Sequence, residues 1–294
     1  MNKIAETAAS ACSTSTGVVE AENEKTRESD RLEENLRGIG RKIMVMSGKG
    51  GVGKSSLAAN IAVGISLRGK QVGLMDIDIH GPSIPTLVGL EGASLVQTDR
   101  GLMPVVYSNF LKVMSIGFLI RDRNDAVIWR APMKHGLIKQ FLTDVAWGSL
   151  DYLIVDCPPG TGDELISITQ LLEQAGGAVI VTTPQDVALN DVRKSITFCK
   201  QTNVTILGVV ENMSGFVCPG CKTTVDIFKS GGGEALAKEM GVPFLGKIPI
   251  DPTLVEHSDQ GKPFLNHCAG SPTVAAFDTI INAILFSTIS HDNG

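Results

Sequence analysis

A glycine-rich stretch in the first quarter of the chain has the residue types and spacing that bind phosphate. Its ten residues, Ser47 to Ser56, contain the pattern of glycine, any four residues, then glycine-lysine-serine. The apolar run 42–46 precedes it and predicts a buried strand, and residues 57–67 follow with helical spacing. A strand, a glycine loop and a helix N-terminus together surround a phosphate with backbone N–H groups. Because both flanking elements are present, we interpret the match as a nucleotide site rather than a glycine turn that fits by chance.

The residue types within this loop indicate its roles. Gly50, Gly51 and Gly53 let the backbone approach the phosphate oxygens, because a Cβ atom would clash there. Lys54 is expected to neutralise the β- and γ-phosphates of ATP, and the hydroxyl of Ser55 is expected to ligate Mg²⁺. The predicted nucleotide-contacting residues of the loop are Gly48, Lys49, Gly50, Gly51, Val52, Gly53, Lys54, Ser55 and Ser56.

Three aspartates, Asp76, Asp78 and Asp156, each follow an apolar run that predicts a strand. Ligands of open α/β sheets bind at the carboxyl ends of the strands. Asp156 is expected to hold Mg²⁺ through water, and the backbone N–H of Gly160 is expected to follow the γ-phosphate. Asp76 and Asp78 should share a face of an extended segment, where one could support the metal and the other could orient the attacking water. A helix-capping or turn role is the alternative for either residue alone.

A close cysteine pair, Cys218-Pro219-Gly220-Cys221, is the second feature that predicts chemistry. Two thiolates at this spacing can bind one metal ion or one edge of a cluster, and Pro-Gly between them favours a tight turn. One copy supplies only half of a Cys₄ site, which a symmetric homodimer would complete. Four thiolates suit zinc and an iron–sulfur cluster equally well. A thioredoxin-like redox pair and a structural knuckle are the alternatives.

The rest of the chain predicts the scaffold for these groups. Strand and helix patterns alternate from residue 42 onward, which indicates an α/β fold with a mostly parallel sheet and helices on both faces. The predicted strands are 42–46, 71–75, 111–116, 151–156, 178–182, 204–210 and 242–248, with a β-hairpin over 94–107. The predicted helices are 57–67, 133–145, 186–200 and 272–286.

The 294 residues divide into two predicted parts. Residues 1–35 are rich in Ala, Ser, Thr and Glu, which is typical of a disordered N-terminal tail. Within it, residues 30–36 could form a short charged helix that leads into the first strand. Residues 36–294 are expected to form one ATPase domain that includes the cysteine loop.

Composition excludes several classes of partner. The formal net charge of −5 argues against a nucleic acid held by bulk electrostatics. We expect no membrane partner, because no apolar run reaches the roughly 20 residues that span a bilayer. The six cysteines are irregularly spaced, unlike a secreted disulfide framework, and residues 1–17 fit neither a secretory nor a mitochondrial presequence. The expected compartment is the cytoplasm.

The order of motifs along the chain resembles one family closely. The phosphate loop is followed by Asp-Ile-Asp-Ile-His-Gly-Pro-Ser (76–83), Trp-Arg-Ala-Pro-Met (129–133), Asp-Cys-Pro-Pro-Gly-Thr-Gly-Asp-Glu (156–164), Glu-Asn-Met (211–213) and the cysteine pair. From about residue 38 to its end the chain resembles the Mrp/ApbC-type iron–sulfur cluster carrier ATPases, which are relatives of MinD. The resemblance implies a P-loop ATPase homodimer that carries a labile [4Fe–4S] cluster on the cysteines of both subunits. Such a protein passes its cluster to apo iron–sulfur proteins and works with cluster-assembly scaffolds.

The resemblance also implies roles for single residues. Lys49 would reach across the dimer interface to the nucleotide of the partner, as the extra lysine of the deviant phosphate loop does; a solvated surface lysine is the alternative. Asn212 would hydrogen-bond the adenine, and the loop with Pro249 and Asp251 would close over the base. The predicted catalytic residues are Lys49, Lys54, Asp76, Asp78 and Asp156, and the predicted cluster ligands are Cys218 and Cys221.

The chain departs from the family pattern in a few places. Some members hold a second cluster on a cysteine-rich N-terminal extension, but residues 1–35 contain only Cys12, so we expect no second cluster. The tail is also too short and polar for the small extra domain that many bacterial members have. Ala131 replaces a usual glycine and Cys157 a usual small residue, and we expect Cys157 to be packed rather than reactive.

Two other functions belong to the same group of ATPases. A MinD- or ParA-like positioning ATPase would assemble on membrane or DNA, with the cysteine pair as a structural feature. Membrane members end in a basic amphipathic helix, whereas residues 286–294 contain no lysine or arginine. An electron-transfer ATPase like the nitrogenase iron protein takes its ligands from two well-separated cysteines. Cluster carriage is therefore the preferred hypothesis, with zinc a possible occupant in aerobic preparations.

Overall fold

The computed structural model describes residues 26–79, 81–99, 101–120, 131–172, 176–218, 220–221, 223–268 and 270–289. Its strands, in chain order, are β1 (Ile39–Ser47), β2 (Val72–Asp76), β3 (Val96–Thr98), β4 (Gly101–Met103), β5 (Val105–Ser108), β6 (Leu111–Ser115), β7 (Leu150–Asp156), β8 (Gly177–Thr182), β9 (Ile206–Glu211), β10 (Phe216–Val217), β11 (Thr224–Val225) and β12 (Phe244–Lys247).

The helices alternate with these strands. They are α1 (26–37), α2 (Lys54–Ser66), α3 (Ile84–Leu87), α4 (Ala131–Thr143), α5 (Asp163–Leu171), α6 (Asp186–Gln201), α7 (Gly232–Met240), α8 (Pro252–Asp259), α9 (Phe264–His267) and α10 (Pro272–Ile289), with a 3₁₀ turn at Ile116–Leu119.

Eight strands form one sheet in the order β12-β9-β8-β1-β7-β2-β6-β5. The pairings are parallel except at one edge, where β5 runs antiparallel to β6. The mostly parallel α/β fold predicted from the sequence is confirmed. Because β1 lies in the middle of the sheet, the phosphate loop that follows it emerges at the centre of the carboxyl edge.

Apolar side chains of the central strand β1 serve both faces of the sheet. Met44 and Met46 belong to a core that includes residues of α4, α5, α6 and α7. Ile43 and Val45 belong to the opposite core, with residues of α2, α9 and α10. A strand with helices on both sides reads as a continuous apolar run, which is why 42–46 was recognisable as a strand.

Some predicted boundaries differ from the structure. The predicted hairpin over 94–107 is two features: β3 and β4 form a small hairpin, while β5 joins the main sheet beside β6. The predicted helix 133–145 spans Ala131–Thr143. Helices α5, α7 and α8 were not predicted, and α7 begins within the glycine run 231–233, which resembles a loop.

The boundary of the predicted tail at residue 35 is too late. Residues 26–37 form α1, in which Leu32 and Leu36 pack against the core beneath α4. The side-chain amide of Asn35 donates to the carbonyls of Leu142, Thr143 and Val145 at 3.1, 2.7 and 3.3 Å. Two apolar side chains and one amide therefore hold an otherwise polar helix against the rest of the domain. Residues 1–25, including Cys12, lie outside the described part.

Within the described residues, no helix is both long and apolar enough to cross a lipid bilayer.

Asn35→Ala should lower the free energy of unfolding by about 1–3 kcal/mol, because carbonyls at the end of α4 lose their donor. Urea titration followed by circular dichroism measures this change. Glu34→Ala is the matched control, since Glu34 is exposed on the same helix, and it should change stability by less than about 0.5 kcal/mol. Equal stability of the two variants would show that the hydrogen bonds from Asn35 to the carbonyls at the end of α4 do not stabilise the protein.

Candidate functional site

The phosphate loop connects β1 to α2, and its shape depends on glycine at position 53. Gly53 precedes α2 with φ 82°, a left-handed conformation that favours glycine. A Cβ atom there would lie 2.2 Å from Nδ2 of Asn212. That same amide donates to the carbonyl of Val52 at 2.8 Å. Asn212 therefore packs directly against the loop from the end of β9.

Lys54 is the buried centre of charge at this edge of the sheet. Its side chain is 6% exposed, with Nζ 2.5 Å from Oδ1 of Asp156 and 3.4 Å from Oδ2 of Asp78. Burial alone would lower the pKa of Lys54, but the attraction of Asp156 and then Asp78 outweighs it and raises the pKa. The ammonium is therefore charged at neutral pH and is available to compensate phosphate charge.

Asp156 has an oxygen that its surroundings do not satisfy. The residue ends β7 and is fully buried, and its Oδ2 has no hydrogen-bond partner among the described residues. The hydroxyl of Ser55 lies beside the same charge cluster, 3.3 Å from Nζ of Lys54. A buried carboxylate oxygen and a hydroxyl are hard donors of the kind that Mg²⁺ prefers. These residues fit a magnesium ion that binds with a nucleotide.

Asp76 and Asp78 differ in their hydrogen-bond partners and in their exposure. Oδ1 of Asp76 accepts the N–H of Asp78 at 3.1 Å, and Oδ2 accepts the Ser115 hydroxyl at 2.8 Å and the N–H of Ile84 at 3.3 Å. Strand register places Asp76 opposite Asp156, and burial followed by repulsion from that carboxylate raises the pKa of Asp76 to about 8. Asp78 lines the cavity at the loop, and Asp76 is fully buried. Both carboxylates interact electrostatically with Lys54, and the roles predicted for the pair stay predictions.

A cavity of about 330 Å³ lies over the phosphate loop. Its lining combines the loop with residues that follow β2 and β7: Ser47, Lys49, Gly50, Gly51, Gly53, Lys54, Ser55, Ser56, Asp78, Gly81, Ser83, Leu87 and Pro159. Gly160 follows Pro159 with φ 91°, and its N–H donates to the carbonyl of Ser47 at 2.8 Å. The group predicted to follow the γ-phosphate therefore contacts the first residue of the loop.

The residues assigned to the adenine lie at two neighbouring places. Asn212 faces the phosphate loop, as described. Pro249 lies in the turn after β12, and Asp251 caps α8 by accepting the N–H of Thr253 at 2.9 Å and the hydroxyl of Thr273 at 2.6 Å. Backbone hydrogen bonds from Ser214 to Ile248 and from Ile250 to Gly215 join the two places.

The cysteine pair lies at the tip of a short hairpin. Strands β10 and β11 pair antiparallel, and the N–H of Cys218 donates to the carbonyl of Thr223 at 3.0 Å. Cys218 is half-buried and Cys221 is exposed. Hydrogen bonds, first with the side chain and backbone of Thr223 and then with Cys218, lower the pKa of Cys221 to about 7. One thiol of the pair is thus partly thiolate at neutral pH.

The described residues place two thiols, those of Cys218 and Cys221, at this tip. Across the part of the chain that the structure describes, no group of three or more His, Cys, Asp and Glu side chains is arranged to hold a metal ion. A site with more than two protein ligands at the hairpin therefore needs a second molecule.

The other described cysteines are held away from solvent or from the hairpin. Cys157 is fully buried and burial raises the pKa of its thiol, in agreement with the packed role predicted for it. Burial also raises the pKa of Cys199 to about 11. Cys268 is half-buried, with Sγ 3.6 Å from Nε2 of His257. Residues 129 and 130 and the side chain of Ala131 lie outside the described part.

Sequence reasoning missed Glu211. This residue ends β9 and is fully buried, and its carboxylate accepts hydrogen bonds from Ser214, Gly231 and Gly233. The signal was an acidic residue that closes an apolar strand, the same pattern that identified Asp156. The neighbouring Asn212 was singled out instead because of the family resemblance.

Comparison with known proteins agrees with this geometry. The family model described as ParA, NUBPL iron-transfer P-loop NTPase, matches residues 38–285. The cytosolic Fe-S cluster assembly factor NUBP2 of Homo sapiens is 48% identical over 258 residues, which cover 86% of this chain and 95% of that protein. The iron-sulfur cluster carrier protein of Methanocaldococcus jannaschii is 51% identical over 235 residues, which cover 80% of this chain and 81% of that protein.

Solved structures show the same fold. A nucleotide-binding protein from Archaeoglobus fulgidus in complex with ADP has a TM-score of 0.72 at 42% identity, covering 84% of this chain and 96% of that one. The cell division ATPase MinD of Pyrococcus furiosus has a TM-score of 0.60 at 24% identity, covering 84% and 99%, which is a likeness of fold alone. Because the family model spans most of the sequence and the relatives are about half identical to it, this chain belongs to the ParA/NUBPL family of iron-transfer P-loop NTPases.

Proposed function

We propose that this chain is an ATP-dependent iron–sulfur cluster carrier that binds a labile [4Fe–4S] cluster between two copies and passes it to apoproteins. The observation that carries the proposal is the exposed Cys218–Cys221 hairpin at the same edge of the sheet as the phosphate loop. A P-loop ATPase does not need exposed thiols to hydrolyse ATP, so the hairpin points to a cargo.

The surface around the hairpin supports pairing of two copies. Val217, Val225, Ile227 and Phe228 are large apolar residues exposed beside the cysteines. Apolar patches of this kind mark interaction surfaces, and a two-fold axis there would bring four thiols together. Lys49, half-buried at the rim of the phosphate cavity, would then reach the nucleotide of the partner. We propose that the partner on this apolar surface is a second copy of the same chain.

Cluster transfer is a ligand exchange. Each iron–thiolate bond to Cys218 or Cys221 is replaced by an iron–thiolate bond to a cysteine of the recipient, and the proton of that cysteine passes to the released thiolate or to water. The iron oxidation states and the sulfides are unchanged, so no oxidant or reductant is required. The lowered pKa of Cys221 favours this exchange, because the thiolate is the metal ligand.

The nucleotide site supplies the residues for ATP hydrolysis. Lys54 compensates the phosphate charge, and Ser55 and Asp156 are placed to hold Mg²⁺, which when bound would neutralise charge that develops on the phosphates. Asp78 lines the cavity and is the candidate to orient the attacking water. Asp76 acts as a positioning residue, since its carboxylate holds the turn that carries Asp78. The loop with Pro249 and Asp251 would cover the adenine, with Asn212 as its hydrogen-bonding partner.

We place this activity in the cytoplasm, with apo iron–sulfur proteins and cluster-assembly scaffolds as partners. The word cytosolic in the names of NUBP2-type relatives supports this compartment.

The rate of Cys221 alkylation by iodoacetamide should rise with pH around a midpoint near 7, because the thiolate reacts and hydrogen bonds with Thr223 lower its pKa. Peptide mass spectrometry on cluster-free protein measures the rate at each pH. Thr223→Val is similar in size and should move the midpoint up toward the ordinary cysteine value of about 8.5. A midpoint near the ordinary value in both proteins would refute the role of Thr223.

Lys54→Ala should lower ATP turnover by about 100-fold or more, because a charge that stabilises the transferring phosphate is removed. Its cluster content after anaerobic reconstitution should stay close to that of the unmodified protein. Lys70→Ala, at an exposed lysine beyond the end of α2, is the control and should alter neither quantity. Loss of the cluster in the Lys54 variant would contradict the proposed separation of the two sites.

Anaerobic reconstitution should load about four iron and four sulfide per dimer, and a Cys218→Ala/Cys221→Ala double variant should load none. Iron and sulfide analysis, the visible spectrum and native mass spectrometry provide the readouts. Cys268→Ala removes a thiol outside the hairpin and should load normally. If the unmodified protein stays colourless and holds only zinc, cluster carriage is refuted, and a positioning ATPase with a structural cysteine pair remains.

A further inference from the structure

A single buried carboxylate closes the base of the cysteine-bearing segment. Oε1 of Glu211 accepts the hydroxyl of Ser214 at 2.5 Å and the N–H of Gly231 at 2.8 Å, and Oε2 accepts the N–H of Gly233 at 2.5 Å. Ser214 and Gly231 are the two ends of segment 214–231, which carries both Cys218 and Cys221. The carboxylate therefore holds the two ends of this segment together.

Two features strengthen this closure. Gly231 precedes α7 and Gly233 lies in its first turn, so Glu211 places negative charge where unpaired helix N–H groups favour it. The hydroxyls of Ser214 and Ser230 also hydrogen-bond across the base at 3.0 Å. The hairpin above is only two residue pairs long, too short to be stable by itself. The position of the hairpin therefore depends largely on the hydrogen bonds that join the two ends of segment 214–231.

The residue after Glu211 is attached to the phosphate loop. Nδ2 of Asn212 donates to the carbonyl of Val52 at 2.8 Å, and Gly53 leaves no room for a Cβ atom beside that amide. One planar peptide unit joins Glu211 to Asn212. Glu211, whose carboxylate joins the ends of the cysteine-bearing segment, is therefore one residue away from a contact with the phosphate loop.

The turn after β12 makes a second connection. The carbonyl of Glu211 accepts the N–H of Ile248 at 2.8 Å, and the N–H of Ser214 donates to the carbonyl of Ile248 at 2.9 Å. The N–H of Ile250 donates to the carbonyl of Gly215 at 2.8 Å. The turn that includes Pro249 is thus hydrogen-bonded to both ends of the stretch 211–215. This stretch turns sharply at Met213, whose φ is 57°.

We propose that residues 211–215 couple the nucleotide site to the cysteine hairpin, with Glu211 as the positioning residue. Asn212 contacts the phosphate loop, and the turn at 248–250 is part of the predicted adenine site. A change at either place would move Glu211, and this movement would change the distance between the two ends of segment 214–231. The effect on cluster affinity rests on the proposed function. The link itself does not, because its hydrogen bonds join residues of this chain alone.

Hydrogen-exchange mass spectrometry on the cluster-free, full-length protein tests the link. Magnesium with a non-hydrolysable ATP analogue should slow exchange in the unmodified protein both at 48–56 and across 214–231. Glu211→Gln keeps the size of the side chain but turns an amide NH₂ toward backbone donors. This variant should keep the response at 48–56 and lose the response at 214–231.

Two further variants make the test specific. Glu234→Gln makes the same chemical change at an exposed position in the first turn of α7, and it should keep both responses. Ser214→Ala removes the hydroxyl that hydrogen-bonds Glu211 and should weaken the nucleotide-induced slowing of exchange at 214–231. This variant provides the test of the link if Glu211→Gln does not fold. The link is overturned if the unmodified protein shows no response at 214–231, or if neither variant reduces it.

Measuring nucleotide affinity with and without the cluster tests whether the link changes cluster affinity. Coupling between sites is reciprocal, so a cluster that responds to nucleotide must change nucleotide affinity by the same factor. We expect a difference of about five-fold or more in the unmodified protein, and a ratio near one in Glu211→Gln at equal cluster content. A wild-type ratio in that variant overturns the role of Glu211. Failure of the unmodified protein to load a cluster refutes the carrier function instead, and the exchange experiment then decides the link by itself.

Discussion

The buried ion pair between Lys54 and Asp156 is the interaction on which the nucleotide edge of this protein depends. Taking two charges out of water costs several kcal/mol each unless they compensate one another closely. The pair joins the start of α2 to the end of β7, so the helix that follows the phosphate loop and strand β7 share one electrostatic contact. A nucleotide phosphate would compete with Asp156 for the same ammonium. Nucleotide binding therefore alters the charge balance at the centre of the sheet rather than at a remote surface.

The parts of the site that could be predicted from the sequence are those whose structure depends on residues close together in the chain. The phosphate loop needs only consecutive residues, and the buried strands beside it are continuous apolar runs. The orientation of Asp76 was not readable, because Ser115, which binds its carboxylate, lies 39 residues away on another strand. Glu211 was missed for a similar reason, since its partners Gly231 and Gly233 follow about 20 residues later. The short charged helix predicted over 30–36 is part of α1, but its first residues were not predicted because few side chains of this polar stretch pack against the core.

Both kinds of chemistry lie at the carboxyl edge of one sheet because the connections there are loops. The loop after β1 is the predicted phosphate site, and the connection after β9 extends into the cysteine hairpin. Neighbouring parallel strands deliver their loops to the same edge, which is why ligands of such sheets bind there. The hairpin is polar at its tip and apolar on its sides, and it offers two thiols but no third ligand among the described residues. In the proposed homodimer, a second copy would cover the apolar sides of the hairpin and would complete the ligand set.

The energy needed to couple the two sites is within reach of the contacts at the base of the hairpin. Coupling free energies between sites are commonly about 1–3 kcal/mol, and a hydrogen bond to a charged group contributes about 1.5–3 kcal/mol. Glu211 makes three such bonds, so the loss or rearrangement of one or two of them would account for coupling of this size. No large domain movement is required. A displacement of the phosphate loop that is carried through Asn212 would act on these same hydrogen bonds of Glu211.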